Sequence, residues 1–138
     1  MKKVMLFLVF GALLSCKQSF VEADLQHLNG YWEIEKVELP DGDKKEYKVN
    51  ETIDFFKIEA NKGFRKKVMP QLDGSYLTND VQEDVAVVLK DGDAFLQYKT
   101  TYASWNEEII ELTKDKLVVK NQQKIEYHYK RPAKFSIN

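Results

Sequence analysis

The chain of 138 residues contains a single cysteine, and this scarcity excludes several kinds of protein. One cysteine forms neither an internal disulfide nor a zinc site built from several thiolates. The 21 basic and 22 acidic residues leave a net charge of −1, so the basic surplus of nucleic-acid-binding domains is missing. The Gly-x-Ser-x-Gly, His-Glu-x-x-His and glycine-rich phosphate-loop motifs are also missing. We therefore expect no catalytic residues, no metal or other cofactor, and no nucleic-acid partner.

The N-terminus has the pattern of a secretory signal. Lys2 and Lys3 precede an apolar run over residues 4–14. That run is much shorter than the roughly 20 apolar residues of a membrane-spanning helix, and its positive start is typical of a signal peptide. The only cysteine, Cys16, directly follows the small residue Ser15.

The segment around Cys16 resembles a bacterial lipobox, which implies cleavage before the cysteine and acylation of its thiol and its new amino group. We predict a signal peptide over 1–15 and a lipidated Cys16 with a short tether over 16–24. The alternatives are an ordinary signal with an incidental cysteine and a cytosolic apolar N-terminus. Enterobacterial lipoproteins of the inner membrane tend to carry Asp after the cysteine, and this chain has Lys17 there. We expect anchoring in the outer membrane, facing the periplasm.

The remaining chain predicts one β-rich domain over 25–131, with a tail over 132–138. Val21, Leu25 and Leu28 have the spacing of one helical face, and a short helical turn there precedes the first strand. Runs rich in β-branched and aromatic residues follow, separated by turn dipeptides at the spacing of a sandwich or barrel. We predict strands near 31–39, 51–59, 63–69, 75–79, 83–90, 94–102, 107–113, 116–121 and 124–131.

One segment carries two patterns. Ser104-x-x-Glu107 is a capping box, and Trp105, Ile109 and Leu112 share a helical face. A helix over 105–113 is therefore an alternative to the strand, which we prefer because the segment leads by a tight connection into a strongly β-forming run.

Gly30-Tyr31-Trp32 at the first strand and Arg131 at the end of the last strand resemble the lipocalin signature. In that family a basic side chain covers the tryptophan that closes the narrow end of a barrel, a cation–π contact of about 0.5–2 kcal/mol. Trp32 and Arg131 are accordingly interpreted as a structural, barrel-closing pair.

The run 108–119 and the pattern Tyr127-x-Tyr129-x-Arg131 resemble the late hairpin and closing strand of the lipocalin-like (calycin) lipoproteins common in Bacteroidota. The resemblance covers residues 25–131. It implies an antiparallel up-and-down barrel of about 8–9 strands that binds a small hydrophobic ligand.

Aromatic residues are candidates for lining a ligand pocket, since an aromatic wall suits apolar ligands. The candidates are Tyr47, Phe55, Tyr76, Phe95, Tyr98, Tyr127 and Tyr129. The interior of a barrel of this size can hold one small ligand or be filled by the protein's own side chains, and the sequence favours neither. Two functions stay open: a lipid-anchored, non-catalytic binding or carrier protein, and a structural or interaction module of the cell envelope with a filled barrel.

The remaining polar motifs favour ordinary surface structure. His128 alternates outward on the last strand, and Asp41-Gly42-Asp43 is interpreted as a hairpin turn rather than a calcium loop. The basic cluster of Lys62, Arg65, Lys66 and Lys67 could meet anionic lipid, but we prefer a solvated strand with Phe64 and Val68 pointing inward.

Overall fold

Across residues 18–48, 50–79 and 81–133, which the computed structural model describes, the chain forms ten strands and one short 3₁₀ helix. The helix spans Glu22–Leu28. The strands are β1 (Gly30–Glu38), β2 (Lys44–Glu46), β3 (Ile53–Glu59), β4 (Lys62–Pro70), β5 (Tyr76–Thr78), β6 (Glu83–Lys90), β7 (Asp93–Lys99), β8 (Ser104–Leu112), β9 (Lys116–Asn121) and β10 (Glu126–Lys130).

Eight of these strands close into an antiparallel barrel. They follow the order β10-β9-β8-β7-β6-β4-β3-β1, and β1 pairs back with β10. The short strands β2 and β5 lie outside this ring, paired with β1 and β4. The predicted all-β barrel is therefore confirmed. Of the two possibilities over 105–113 the strand is present, as β8, and β2 is a strand that the sequence did not predict.

The barrel has an open end where β1 leaves β3. Gly30–Trp32 pairs with β3, whereas Lys36–Glu38 pairs with β2 and β10. A bulge between Ile34 and Lys36 turns the strand at this point, as bulges commonly do in barrels. The open end therefore lies at the C-terminal half of β1, and the closed end lies at its start.

The closed end is sealed by Trp32 and Arg131, which the structure brings into contact. The Arg131 guanidinium carbon lies 3.6 Å from the centroid of the fully buried Trp32 ring. The same guanidinium donates hydrogen bonds to the carbonyls of His27 (2.7 Å), Tyr31 (3.0 Å) and Lys114 (2.9 Å). One cation thus joins the helix, the start of β1 and the β8–β9 turn.

Gly30 is required by this closure for two reasons. Its φ of +107° is a conformation that residues with a side chain rarely adopt. A Cβ at this position would also lie 3.3 Å from Nη1 of Arg131. The glycine of the Gly-x-Trp pattern therefore provides both the backbone turn and the space for the guanidinium.

The N-terminal segment packs against the closed end of the barrel. Phe20, Leu25 and Leu28 are buried in the core, and the Phe20 amide donates to the Gly92 carbonyl (2.8 Å). The Gln18 side chain makes two hydrogen bonds with the Leu112 backbone, of 3.0 and 2.9 Å. From Gln18 onward, the segment predicted as tether over 16–24 is instead held against the barrel.

The predicted signal peptide and lipidated Cys16 lie outside the described residues, as does most of the predicted tail over 132–138. Within the described ranges no helix is both long and apolar enough to cross a membrane.

We predict that Arg131→Ala lowers the free energy of unfolding by about 2–4 kcal/mol, because it removes hydrogen bonds from a charged donor to three carbonyls together with a cation–π contact. Arg131→Lys should recover only part of this, since an ammonium lacks the planar fork. Urea denaturation of the purified protein measures both values. The control, Lys130→Ala at the exposed neighbouring position, should change stability by less than about 0.5 kcal/mol; equal effects at positions 130 and 131 would contradict the closing role.

Candidate functional site

Strand register determines which side chains face the barrel interior, because directly paired residues share one face of a sheet. The buried Trp32 pairs with Asp54, and the buried Phe56 pairs with Arg65. In the same way Leu96 of the core pairs with Glu107. Charged side chains from β3, β4 and β8 therefore point into the barrel.

These side chains surround a cavity at the open end, which we call the cup. Its volume is about 350 Å³, at the lower end of the range for small-ligand sites. An adjoining depression of about 460 Å³ between β1 and β3 shares part of its wall. The cup is lined chiefly by Asp54, Arg65, Lys67, Trp105, Glu107, Tyr127 and Tyr129.

The floor below the cup is filled by the protein itself. Ala94, Leu96, Ile109, Leu112 and Leu117 are all 1% exposed or less. The apolar interior therefore ends beneath the charged layer, and the barrel forms a shallow polar cup above a packed core rather than a long apolar tunnel.

Two hydrogen-bonded ion pairs join the charges of the cup. Arg65 donates from Nε and Nη2 to the two carboxylate oxygens of Glu83, at 3.0 and 2.8 Å, and its guanidinium lies 4.2 Å from the Tyr98 ring centroid. Lys67 Nζ lies 2.8 Å from Asp54 Oδ1. Burial by itself lowers the pKa of Arg65, but Tyr98, Glu83 and Asp54 act against it and raise that pKa overall.

Glu107 is the carboxylate with the weakest pairing in this layer. Arg65 Nη1 approaches its Oε1 no closer than 3.8 Å, which is too long for a hydrogen bond. The Tyr98 hydroxyl is a hydrogen-bonding neighbour of Glu107, yet neither Tyr98 Oη nor Glu107 Oε1 forms a hydrogen bond of good geometry with the described residues. Both groups are buried, at 2% and 7% exposure.

The interior environment shifts the ionisation of these groups. Burial raises the pKa of Glu107, and the opposing effects of Tyr98 and Arg65 do not cancel it. Burial likewise raises the pKa values of Tyr98 and Tyr129 well above the ordinary tyrosine value. Both tyrosines are therefore neutral hydroxyls at physiological pH.

The aromatic residues predicted to line a pocket are divided between the two faces of the barrel. Tyr127 and Tyr129 line the cup, and Tyr47 lines the adjoining depression. Tyr98 belongs to the buried core beside the cup. These four are accordingly on or near the interior surface.

The prediction that Phe55, Tyr76 and Phe95 line the pocket is wrong, because all three lie on the outer face of the barrel. Phe55 pairs with Tyr31, whose ring stacks on Tyr76 at 4.0 Å. Phe95 pairs with the exposed Val88. Alternation between the two faces places their neighbours, not these rings, in the interior.

The predicted orientation of β4 is also wrong. Arg65 and Lys67 face inward, whereas Phe64 and Val68 face outward. Val68 is nevertheless buried, and its sheet partners are Ile53 of β3 and Thr78 of β5. The signal that could have identified the cup is the single charge at an inward position of a core strand, as with Glu107 between Trp105 and Ile109.

Outside the barrel, Glu38, Glu126 and His128 bring three potential metal-ligand atoms within 4.8 Å of one another. The His128 Nε2 atom lies 3.6 Å from Glu38 Oε2. Burial and the neighbouring Lys36 lower the pKa of His128. The cation Lys36 pairs directly opposite His128, so the charge environment of this group is mixed.

Comparison with known proteins agrees with this geometry. A family model described as a lipocalin-like domain matches residues 28–119, which is more than half of the chain. The chain belongs to the lipocalin-like domain family. No curated protein matches its sequence.

Two solved structures resemble the lipocalin-like fold of this chain. A lipocalin-like protein from Bacteroides uniformis has a TM-score of 0.50 at 12% identity, covering 77% of this chain and 99% of its own. An uncharacterized protein from Bacteroides eggerthii has a TM-score of 0.48 at 17% identity, covering 76% and 99%. The first similarity supports the fold of the lipocalin-like domain alone.

The raised pKa of Glu107 predicts how its removal changes the pH dependence of stability. Between the ordinary carboxyl pKa and the raised one, the folded state binds more protons than the unfolded state, so this group makes the protein less stable as pH rises. In Glu107→Gln that loss is absent. The difference in unfolding free energy, variant minus wild type, should therefore increase from pH 4 to neutral pH.

Urea denaturation at a series of pH values measures this difference. Glu111→Gln changes a half-exposed carboxylate on the same strand that is paired with Lys116 at the surface. It is the matched control and should give a nearly constant difference. A constant difference for Glu107→Gln as well would show that the Glu107 carboxyl is not destabilised by burial.

Proposed function

We propose that this lipocalin-like chain is a non-catalytic, small-ligand-binding protein of the cell envelope, attached to the outer membrane through a lipid on Cys16. The family is typically one of binding barrels. The cup supplies an open cavity of suitable size.

The observation that carries the proposal is the buried polar pair at the inner wall of the cup. Glu107 Oε1 and Tyr98 Oη are buried with no hydrogen bond of good geometry among the described residues. Leaving such a group unpaired costs about 1–3 kcal/mol. Apolar residues of similar volume would fill the same space with equal or greater stability. Retention of charge here is explained by a ligand that completes the hydrogen bonding.

The second function, an interaction module of the envelope, is favoured by a different observation. The lower barrel is packed, and large apolar side chains are exposed around the β4–β5 hairpin. Leu72 is 81% exposed, Leu77 57% and Val81 72%. A patch of this kind marks protein or membrane contacts when it is contiguous.

Native mass spectrometry distinguishes the two functions. Protein purified from its own membranes in mild detergent should retain an additional small-molecule mass, and Trp105→Ala should abolish it because Trp105 lines the cup. Tyr102→Ala is the control, since Tyr102 is 96% exposed at the same end of the barrel. An additional mass in neither wild type nor control would support the interaction module instead.

The position of Gln18 defines the orientation that a lipid-anchored protein would have. This side chain is hydrogen bonded to Leu112, and Gln18 is only two positions after Cys16. Two residues span at most about 7 Å. A lipidated Cys16 would hold the closed end against the membrane and leave the cup facing away from it.

We predict that Cys16→Ala releases the protein from the membrane fraction. In the lipidated protein, a fluorophore on Lys114→Cys at the closed end should be quenched by lipid-borne quenchers. A fluorophore on Tyr102→Cys at the open end should not be quenched. Fractionation and fluorescence measure these outcomes. Retention of Cys16→Ala would overturn the anchor, and equal quenching at both positions would overturn only the orientation.

A further inference from the structure

The cup contains more carboxylates than cations, and the carboxylates differ in how well they are paired. Among the described residues of this layer, two cations, Arg65 and Lys67, face three carboxylates, Asp54, Glu83 and Glu107. Lys67 is paired with Asp54, and Arg65 places two of its donors on Glu83. Glu107 is therefore left with a hydrogen-bonding capacity that neither cation uses.

The unused hydrogen-bond acceptor is Oε1 of Glu107, deep in the cup. Glu107 is buried, and its Oε1 accepts no hydrogen bond of good geometry from the described residues, its hydrogen-bonding neighbour Tyr98 included. A buried carboxylate oxygen needs a donor, and a charged donor satisfies it best. A group that brings N–H donors and positive charge would satisfy the hydrogen bonding and balance the charge together.

The wall next to Glu107 is aromatic and flat. Trp105 is two residues before Glu107 on the same face of β8, and it lines the cup together with Tyr127. Its indole is held by stacking on Tyr98, with 5.3 Å between centroids and 15° between the ring planes. Aromatic faces attract both flat apolar groups and cations.

We propose that the cup binds a small organic cation, whose ammonium or amidine N–H groups donate to Glu107 and whose apolar body lies along Trp105 and Tyr127. This inference rests on the proposed binding function and specifies its ligand class. It departs from the hydrophobic ligand that the family resemblance implies, because the apolar part of this barrel is already filled.

The cup also disfavours the opposite charge. The donors of Arg65 that face Glu83 are occupied, and Lys67 lies at the rim with 64% of its side chain exposed. An anion would have to compete with Asp54 for Lys67 and would lie close to Glu107. Like charges in a site of low dielectric repel strongly.

Three probes with one shared ring test the ligand class: 2-phenylethylamine, 2-phenylethanol and phenylacetate. Tryptophan fluorescence of the purified full chain in mild detergent, with isothermal titration calorimetry, measures their binding at neutral pH. The amine should bind at least about tenfold more tightly than the alcohol, in keeping with one charged hydrogen bond. Phenylacetate should bind more weakly than the alcohol.

Glu107→Gln should weaken binding of the amine about tenfold or more and leave binding of the alcohol within a few-fold. Glu111→Gln, on the outer face of the same strand, should leave both unchanged. The cation proposal would be overturned if phenylacetate bound as tightly as the amine or more tightly, or if Glu107→Gln bound the amine with unaltered affinity. A retained mass in native mass spectrometry would still support ligand binding in that case. Absence of binding by all three probes would also overturn the cation proposal. The proposed binding function would be overturned only if native mass spectrometry found no retained ligand mass.

Discussion

The contact between Arg131 and Trp32 is the interaction on which the rest of the structure depends. A closed barrel needs its ends brought together, and here one guanidinium bonds to carbonyls of the helix, of β1 and of the β8–β9 turn while covering the Trp32 ring. These segments are distant along the chain, so the contact fixes the relative position of the first and last strands of the barrel. Because this end is sealed by packing and charge, access to the interior is confined to the opposite end.

The closure and the eight barrel strands could be predicted from sequence, whereas the direction of the β4 side chains could not. Alternation separates Phe64 and Val68 from Arg65 and Lys67, but it does not say which pair faces the core. Apolar residues normally mark the inner face. Here Val68 is buried although it faces away from the barrel interior, and Phe64 on the same face is partly buried. The charged pair points inward, where Arg65 meets Glu83 and Lys67 meets Asp54. The burial of Val68 and the inward ion pairs depend on contacts between strands that no local pattern records.

The same long-range pairing explains why the cup was not predicted as a unit. Its charges come from β3, β4, β6 and β8, and most of them are next to other polar residues in the chain, such as Lys66, Asp84 and Glu108. Register alone brings Asp54 level with Trp32 and Glu107 level with Leu96. Taken singly, each residue resembles a solvated surface position. Brought together, they form a layer whose burial raises the pKa of Glu107 and whose ion pairs hold Arg65 in place.

A filled floor and a charged cup divide the barrel into two parts with different consequences. The apolar lower part stabilises the fold, and its contacts with Phe20 and Leu28 tie the N-terminal segment to the closed end. The upper part contributes little that packing alone would not supply, because buried ion pairs seldom stabilise more than apolar residues of the same volume. Charge kept at such a position is best explained by what it binds. Since Gln18 holds the chain at the closed end two residues after Cys16, an anchored protein would present that charged surface to the surrounding solution rather than to the lipid, which is the orientation suited to capturing a water-soluble cation.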